Sequence, residues 1–259
     1  MSFPTQHFTS DLVEESKKHV TFLKTLHLNS ISISKPSNDT FRRYSELWLP
    51  LVYRHSLEQG NTQTQHLIPP ADIAWLWHCH RLAPYRYAKH IQNTFFTKSS
   101  GNTNDLVVLD PGHPFVVQLE DNVNRNPTFD ADKHSISAQY TKDIWTQMYP
   151  TERFFVKEDS NHQMKETHLV DTKLSGFDVI ESCERQGGFL WQVSQGRFQN
   201  DSFLEEGVEN YHNFMSLMKR KEDKPRFLVP TYQIDLMWHT HILASIKSYH
   251  RDCMEIIQT

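Results

Sequence analysis

The chain has 259 residues, of which 37% are hydrophobic and 22% are charged, and its formal net charge is −4. A chain of this length can bury the core of one large domain or two small ones. Its composition excludes collagen-like, low-complexity and intrinsically disordered proteins. The acidic balance argues against a surface dedicated to nucleic acid or to anionic membranes.

The cysteine content and the N-terminus indicate an intracellular protein. The three cysteines, Cys79, Cys183 and Cys253, are few and odd in number, which favours a reducing compartment over a disulfide framework. The sequence has no run of about 20 apolar residues, the length that a membrane-spanning helix needs. The first residues show neither the basic start nor the apolar block of a secretion signal. We therefore expect a cytoplasmic protein without membrane association.

The first sixty residues predict two helices. Thr9 or Ser10 is expected to cap the first, whose apolar residues from Leu12 onward recur at a helical period. Residues 30–38, rich in serine, proline and asparagine, predict a connector. A second helix is expected from about residue 40, and Pro50 should kink or split it.

The middle of the chain contains the best candidate for a linker. Residues 69–83 form an apolar and aromatic segment that ends at Pro84, and a further helix is expected over 85–95. Residues 98–114 are rich in glycine, asparagine, serine and proline, which is typical of a linker. The apolar spacing over 135–148 predicts another helix.

The last third of the chain is also predicted to be helical. A short helix is expected over 177–185, stopped by the glycine pair at 187–188. A longer helix is expected over 203–220. After a charged loop, the final helix is predicted to run over 230–253, which leaves little or no sheet.

One sequence pattern occurs twice. IPPADIAWLWHCHRL at 68–82 and VPTYQIDLMWHTHIL at 229–243 share proline, isoleucine, Trp-His-x-His and leucine, with corresponding residues 161 positions apart. Each copy follows a predicted helix and a polar loop. We interpret the pattern as a pseudo-duplicated helix–loop–helix unit. The predicted fold is a mainly α, multi-helical composite domain, with the first motif in 1–97, an irregular linker over 98–134 and the second motif in 135–259.

These motifs resemble the two hallmark motifs of the glycine-rich domain-containing protein family. Three further segments also resemble that family: 137–150, FDVIESCERQGGFLWQVSQ at 177–195 and FLEEGVENYHNFMSLMKR at 203–220. The resemblance covers most of the chain from about Phe41 onward. The chain has only eight glycines and stops soon after the second motif, so it lacks the glycine-rich tail of that family. The resemblance implies a role in stress or developmental signalling, without a settled molecular activity.

Helix geometry separates the two histidines of each motif. Neighbouring residues of an α-helix are about 100° apart, so His78 and His80 point to opposite sides and cannot chelate one metal ion together. His80 shares a face with Ile73 and Trp77, and the second motif repeats this arrangement around His241. If these faces meet across the pseudo-twofold, His80 and His241 approach each other in the core.

A divalent-metal site is one interpretation of this arrangement. His80 and His241 would be its central ligands, and the remaining ligands would come from His78, His239, Asp72 or Asp235. Zinc is the metal that we would expect, bound at about 2.0–2.1 Å from imidazole nitrogens. The chain would then be a metal-binding enzyme or sensor.

The favoured interpretation is that the motif is a packing signature. Its histidines would then hydrogen-bond to carbonyl groups or to tyrosines such as Tyr87 and Tyr249. Buried histidines are more often satisfied core groups than ligands. The apolar members of this motif core are Ile73, Trp77, Leu82, Ile234, Trp238 and Leu243.

The predicted function is a non-catalytic interaction or scaffold module whose partner is another protein. The sequence contains no glycine-rich phosphate loop, no Gly-x-Ser-x-Gly elbow, no His-Glu-x-x-His and no Cys-x-x-Cys, so we assign no catalytic residue and no cofactor-binding residue. Weak RNA association through the basic cluster at 219–226 is a third interpretation. Acidic residues interrupt that cluster, which makes a solvated loop the simpler explanation.

Overall fold

The computed structural model describes residues 8–28, 35–59, 66–96, 109, 115–118, 131–156, 171–218 and 228–257, and they are mostly helical. The helices are α1 (Leu12–Leu28), α2 (Asn38–Arg42), α3 (Leu49–Gln59), α4 (Ala71–Arg81), α5 (Pro84–Phe95), α6 (Ala131–Met148), α7 (Val179–Val193), α8 (Asp201–Met218), α9 (Tyr232–Ala244) and α10 (Ile246–Ile257). Over the same ranges, the sheet consists of the antiparallel pair β1 (Lys173–Leu174) and β2 (Phe177–Asp178). The prediction of a mainly α fold with little sheet is confirmed.

The chain divides into two compact units. Residues 25–187 form one, which contains the first Trp-His-x-His motif and is called the first-motif unit. Residues 1–24 and 188–259 form the other, which contains the second motif and is called the second-motif unit. The N-terminal segment belongs to the same unit as the C-terminal helices, and the linker expected over 98–134 stays a prediction. Of the linker candidate 98–114, the structure describes Leu109 alone, and the basic cluster at 219–226 also lies outside the described residues.

Helix α1 begins close to its predicted start, but its cap is a different residue. The Asp11 carboxylate accepts hydrogen bonds from the backbone N–H groups of Val13 (3.2 Å) and Glu14 (3.1 Å), as an N-cap residue does. Thr9 bonds instead to the distant carboxylate of Asp252. The expectation that Thr9 or Ser10 caps the helix was therefore wrong, because a tertiary contact takes the Thr9 hydroxyl.

Pro50 widens its helix rather than breaking it. A π-helical turn, Arg43–Trp48, joins α2 to α3 immediately before the proline. Proline has no N–H to donate to the carbonyl group four residues earlier, and the helix contains a π-bulge next to this interruption of its hydrogen bonds. The connector expected over 30–38 ends earlier than predicted, since Ser37 caps α2.

The glycine pair at 187–188 does not end a helix. Residues 173–178 form a β-hairpin whose turn has positive φ at Ser175 (49°) and Gly176 (82°), and α7 continues through both later glycines. Buried Leu190 and Val193 lie beyond them, so burial of this face outweighs the low helix propensity of glycine.

The single final helix that the sequence predicted is two helices. Ser245 is extended, with φ −164° and ψ 113°, and it separates α9 from α10. The prediction of one helix was therefore wrong. The break turns the chain so that α10 packs on both α8 and α9.

Each motif helix lies in the core of its own unit. In the first-motif unit, α4 is buried along its whole length and contacts α2, the π-helical turn and α5. In the second-motif unit, α9 packs mainly on α8, and Gly207 of α8 permits their close approach. A Cβ atom at Gly207 would lie 3.1 Å from side-chain atoms of Gln233 and Met237. None of the helices in the described ranges has the length and apolarity needed to cross a membrane.

Candidate functional site

Both Trp-His-x-His motifs are helical, as the spacing predicts. Helix α4 begins directly after Pro70, an extended residue, and proline is well suited to the start of a helix. Helix α9 begins after Thr231, whose hydroxyl accepts a hydrogen bond from the backbone N–H of Ile234 at 3.3 Å. Each motif therefore projects its tryptophan and its second histidine from one face of a well-defined helix.

The first motif builds a hydrogen-bonded aromatic cluster, which we call the first cluster. The Trp77 indole N–H donates to the Tyr87 hydroxyl (3.1 Å), which in turn donates to the carbonyl of Leu109 (2.8 Å). The Tyr44 hydroxyl is hydrogen-bonded to His80 Nδ1 at 2.8 Å. The His80 ring meets the Tyr87 ring edge-on, with centroids 5.1 Å apart.

The second motif builds a matching group, the second cluster. The Trp238 indole donates to the Tyr249 hydroxyl at 3.0 Å, and the Tyr211 hydroxyl is hydrogen-bonded to His241 Nδ1 at 3.2 Å. The His241 ring meets the Tyr249 ring edge-on at 5.1 Å. In both clusters a tyrosine from the preceding helix holds the histidine, and a tyrosine from the following helix accepts from the indole. We expected the histidines to bond to carbonyl groups or to tyrosines such as Tyr87 and Tyr249; the partners are tyrosines, but they are Tyr44 and Tyr211.

The far side of His241 is bonded to a carboxylate. His241 Nε2 lies 3.1 Å from Asp252 Oδ2, and the same carboxylate accepts hydrogen bonds from the N–H (2.8 Å) and hydroxyl of Thr9. Since a carboxylate only accepts, a neutral His241 carries its proton on Nε2 and accepts from Tyr211 at Nδ1. Burial lowers the pKa of His241 to about 4, although Asp252 acts in the opposite direction.

His80 has no equivalent bond. It is fully buried, its Nε2 atom has no hydrogen-bond partner within the described part of the chain, and burial lowers its pKa to about 3. Its ring stacks on Phe177 of β2, with centroids 5.6 Å apart. The two clusters thus have tyrosines and a tryptophan in equivalent positions. They differ in the hydrogen bonding of the histidine Nε2 atom, which has a partner in His241 and none among the described residues in His80.

The first histidine of each motif points into different surroundings. The His78 ring stacks on Trp75, with centroids 5.2 Å apart, and the His239 ring meets Phe189 at 4.5 Å. Asp235 Oδ1 is 3.7 Å from His239 Nε2, which is too far for the hydrogen bond that their spacing suggested. Burial lowers the pKa of His239 to about 4 and raises that of Asp235 to about 6.

Asp72 pairs with an arginine. Its carboxylate accepts from Arg43 Nε at 3.1 Å. The rest of the buried guanidinium donates to the backbone carbonyls of Arg153 and Phe154 and lies over the Trp145 ring. Asp72 therefore neutralises a buried cation and joins α4 to the segment that follows α6.

The candidate metal ligands are divided between the units. His78, His80 and Asp72 lie in the first-motif unit, whereas His239, His241 and Asp235 lie in the second-motif unit. Over the described ranges, no group of three or more histidine, cysteine, aspartate or glutamate side chains has an arrangement that could hold a metal ion. A zinc site shared by His80 and His241 stays a prediction.

The predicted motif core is more deeply buried in the first copy than in the second. Ile73, Trp77 and Leu243 are buried, whereas Leu82, Ile234 and Trp238 are half-buried. In the second copy the fully buried positions include Leu236 and Met237. Helix α9 is apolar around most of its circumference, and the side next to the one that carries Ile234 and Trp238 packs against α8.

The sequence comparisons agree with the motifs. The family model described as glycine-rich domain-containing protein-like matches residues 2–90 and 117–252. The chain belongs to this family. It is 31% identical to glycine-rich domain-containing protein 1 and 32% identical to glycine-rich domain-containing protein 2, both from Arabidopsis thaliana, over 252 residues in each case. Those alignments cover 95% of this chain but 28% of each relative. No solved structure matches the chain.

Sequence reasoning missed three residues of the clusters in this family member. Tyr44 and Tyr211 precede their histidines by 36 and 30 residues. Because these separations differ, aligning the two motifs does not bring the two tyrosines to equivalent positions. Asp252 follows Tyr249 by three residues, one helical turn along the same face of α10. That spacing was a usable signal, since the tyrosine was already recognised.

The tyrosine hydroxyl of the first cluster should contribute measurably to stability. Tyr87→Phe would leave the buried Trp77 indole without an acceptor and the buried Leu109 carbonyl without its donor. We expect a loss of about 1–3 kcal/mol in the free energy of unfolding, measured by urea denaturation. Tyr249→Phe is the matched control, and we expect a smaller loss because Trp238 is half-buried and water can replace the hydroxyl. Equal losses in the two variants would contradict this assignment.

Proposed function

We propose that this chain is a non-catalytic protein-interaction module of the glycine-rich domain-containing type, acting in stress or developmental signalling. The observation that carries the proposal is that the second histidine of each motif is buried and hydrogen-bonded to a tyrosine. Each motif tryptophan also donates its indole N–H to a tyrosine. These side chains, the most distinctive in the sequence, are therefore used for internal packing, and they specify a rigid helical scaffold.

We therefore place the binding of a partner on the surface of this scaffold. In the second-motif unit, several large apolar side chains are exposed: Trp191 (54%), Tyr232 (45%) and Val229 (70%). Tryptophan and tyrosine are the residue types that dominate the energetics of protein interfaces. Trp191 is accordingly the residue on which we centre the proposed protein-binding surface.

Affinity capture with a matched pair of variants tests this proposal. The chain is immobilised and exposed to an extract of its source cells, in parallel with Trp191→Ser and with Leu57→Ser, which removes a similarly exposed apolar side chain (63%). We expect defined proteins to be retained by the parent chain and by Leu57→Ser, and to fall at least tenfold with Trp191→Ser. Unchanged melting curves show that neither substitution unfolds the scaffold.

Three outcomes would overturn the proposal. Retention that nuclease abolishes and that weakens steeply with salt indicates RNA association instead. A stoichiometric, chelator-removable metal together with turnover of a substrate indicates a metalloenzyme. Equal retention by the Trp191→Ser variant removes Trp191 from the interface.

A further inference from the structure

The two clusters differ in the side chain that lies next to the motif histidine. Tyr87 and Tyr249 play the same role, and each is followed three residues later by a side chain next to the motif histidine. In the second cluster that side chain is Asp252, which bonds to His241 Nε2. In the first cluster it is His90, whose ring centroid lies 5.6 Å from that of His80. An imidazole therefore stands where the other cluster has a carboxylate.

The two imidazoles do not satisfy each other. His80 Nε2 is fully buried and has no hydrogen-bond partner among the described residues. Such an atom is costly to bury, so a group that fills the gap would stabilise the fold.

His90 has one ring nitrogen available for that gap. Its Nδ1 atom lies 3.4 Å from the Thr94 hydroxyl and 3.5 Å from the Ser175 hydroxyl, so the proposed ligand atom is Nε2. The His90 ring is half-buried, whereas the His80 ring is fully buried. Ser175 belongs to the β1–β2 turn and holds φ at 49°, a backbone conformation that costs energy in a residue other than glycine.

We propose that His80 and His90 bind a divalent transition-metal ion of the type that prefers imidazole ligands, with zinc as the representative ion. A zinc ion bound at about 2.0–2.1 Å from an imidazole nitrogen lies roughly 3.2 Å from the ring centroid. Two such distances can span centroids that lie 5.6 Å apart, so one ion can bind a nitrogen of each ring, and solvent would supply the remaining ligands.

The surroundings of His80 fit a metal ligand. Metal-binding histidines usually hydrogen-bond through their other ring nitrogen to an oxygen atom that fixes the ring, and the Tyr44 hydroxyl, 2.8 Å from Nδ1, does this here. Burial lowers the pKa of both His80 and His90, which is the direction that favours the neutral rings that metal ligation requires. In the second cluster Asp252 already occupies this position, so the site belongs to the first cluster alone.

Zinc titration of metal-free protein without a histidine tag tests the site. We compare the parent chain with His90→Gln, which keeps a polar side chain of similar size but binds zinc poorly, and with His27→Gln, which removes an exposed histidine of the same unit. Equilibrium dialysis should show one tight equivalent of zinc in the parent chain and in His27→Gln. His90→Gln should lose that equivalent, and zinc should raise the melting temperature of the parent chain but not of this variant.

A second variant separates metal binding from folding. Tyr44→Phe keeps both proposed ligands and removes the hydroxyl that orients His80, so zinc affinity should fall about 10–100-fold while circular dichroism remains that of a helical protein. The proposal is overturned if folded parent protein binds no zinc, or if His90→Gln and His27→Gln lose zinc equally, which means adventitious surface binding only. None of these results bears on Trp191, so the protein-interaction proposal stands or fails separately.

Discussion

Trp77→Ala is expected to lower the free energy of unfolding by about 3–5 kcal/mol, the usual cost of removing a large aromatic side chain from a core. The Trp77 ring is buried, packs edge-on against Trp48 at 5.5 Å and lies under the guanidinium of Arg81. Removing this ring would leave a cavity in the core beside α4 and would also remove the indole N–H that donates to the Tyr87 hydroxyl. Urea denaturation followed by circular dichroism measures the change.

Two other tryptophans calibrate this measurement. Trp238 occupies the same position of the second motif but is half-buried, so we expect Trp238→Ala to cost about 1–3 kcal/mol. Trp191 is largely exposed, and we expect Trp191→Ala to stay within about 0.5 kcal/mol. A loss below about 1 kcal/mol for Trp77→Ala would contradict a core role of the motif and would move the binding surface to α4.

Acid is expected to destabilise the second-motif unit through His241. Burial lowers the folded-state pKa of His241 to about 4, whereas an unfolded histidine titrates near 6.5. Between these values the unfolded chain takes up a proton that the folded chain excludes, so stability is complete above about pH 6.5 and falls as the pH approaches 4. The loss from this one group is about 3 kcal/mol at pH 4.

Replacing His241 with a residue that does not titrate measures the contribution of His241 to the pH dependence of stability. His241→Gln can still donate to Asp252, and its stability should change less between pH 7 and pH 4 than that of the parent chain. His250→Gln is the control, because it removes an exposed histidine of the same helix pair and should leave the pH profile unchanged. If the profiles of His241→Gln and the parent chain are parallel, His241 is not the group that couples stability to pH.

The two clusters show how a short motif can specify packing. Each places a tryptophan and a histidine on one face of a helix and takes one tyrosine from the helix before and one from the helix after. Hydrogen bonds impose geometric requirements that apolar contacts alone do not, because an unpaired buried donor is costly. The clusters therefore fix the relative placement of three helices within each unit.

The helical class, the location of the helices and the two motifs were determined by the sequence alone. Apolar residues recur at helical spacing in α1, α4 and α8, and proline marks the starts of α4 and α5. These signals are local, since they depend on residues within one or two turns of each other. The family followed from the same local strings.

Tertiary structure decided the features in which distant residues compete. Asp11 caps α1 while Thr9 bonds to the distant Asp252, and α7 passes through two glycines because its later apolar residues are buried. The partners of His80 and His241 lie in other helices, at sequence separations that differ between the copies. Local propensity is a weak preference that packing overrides, so the hydrogen bonding of each motif histidine was settled only when the helices assembled.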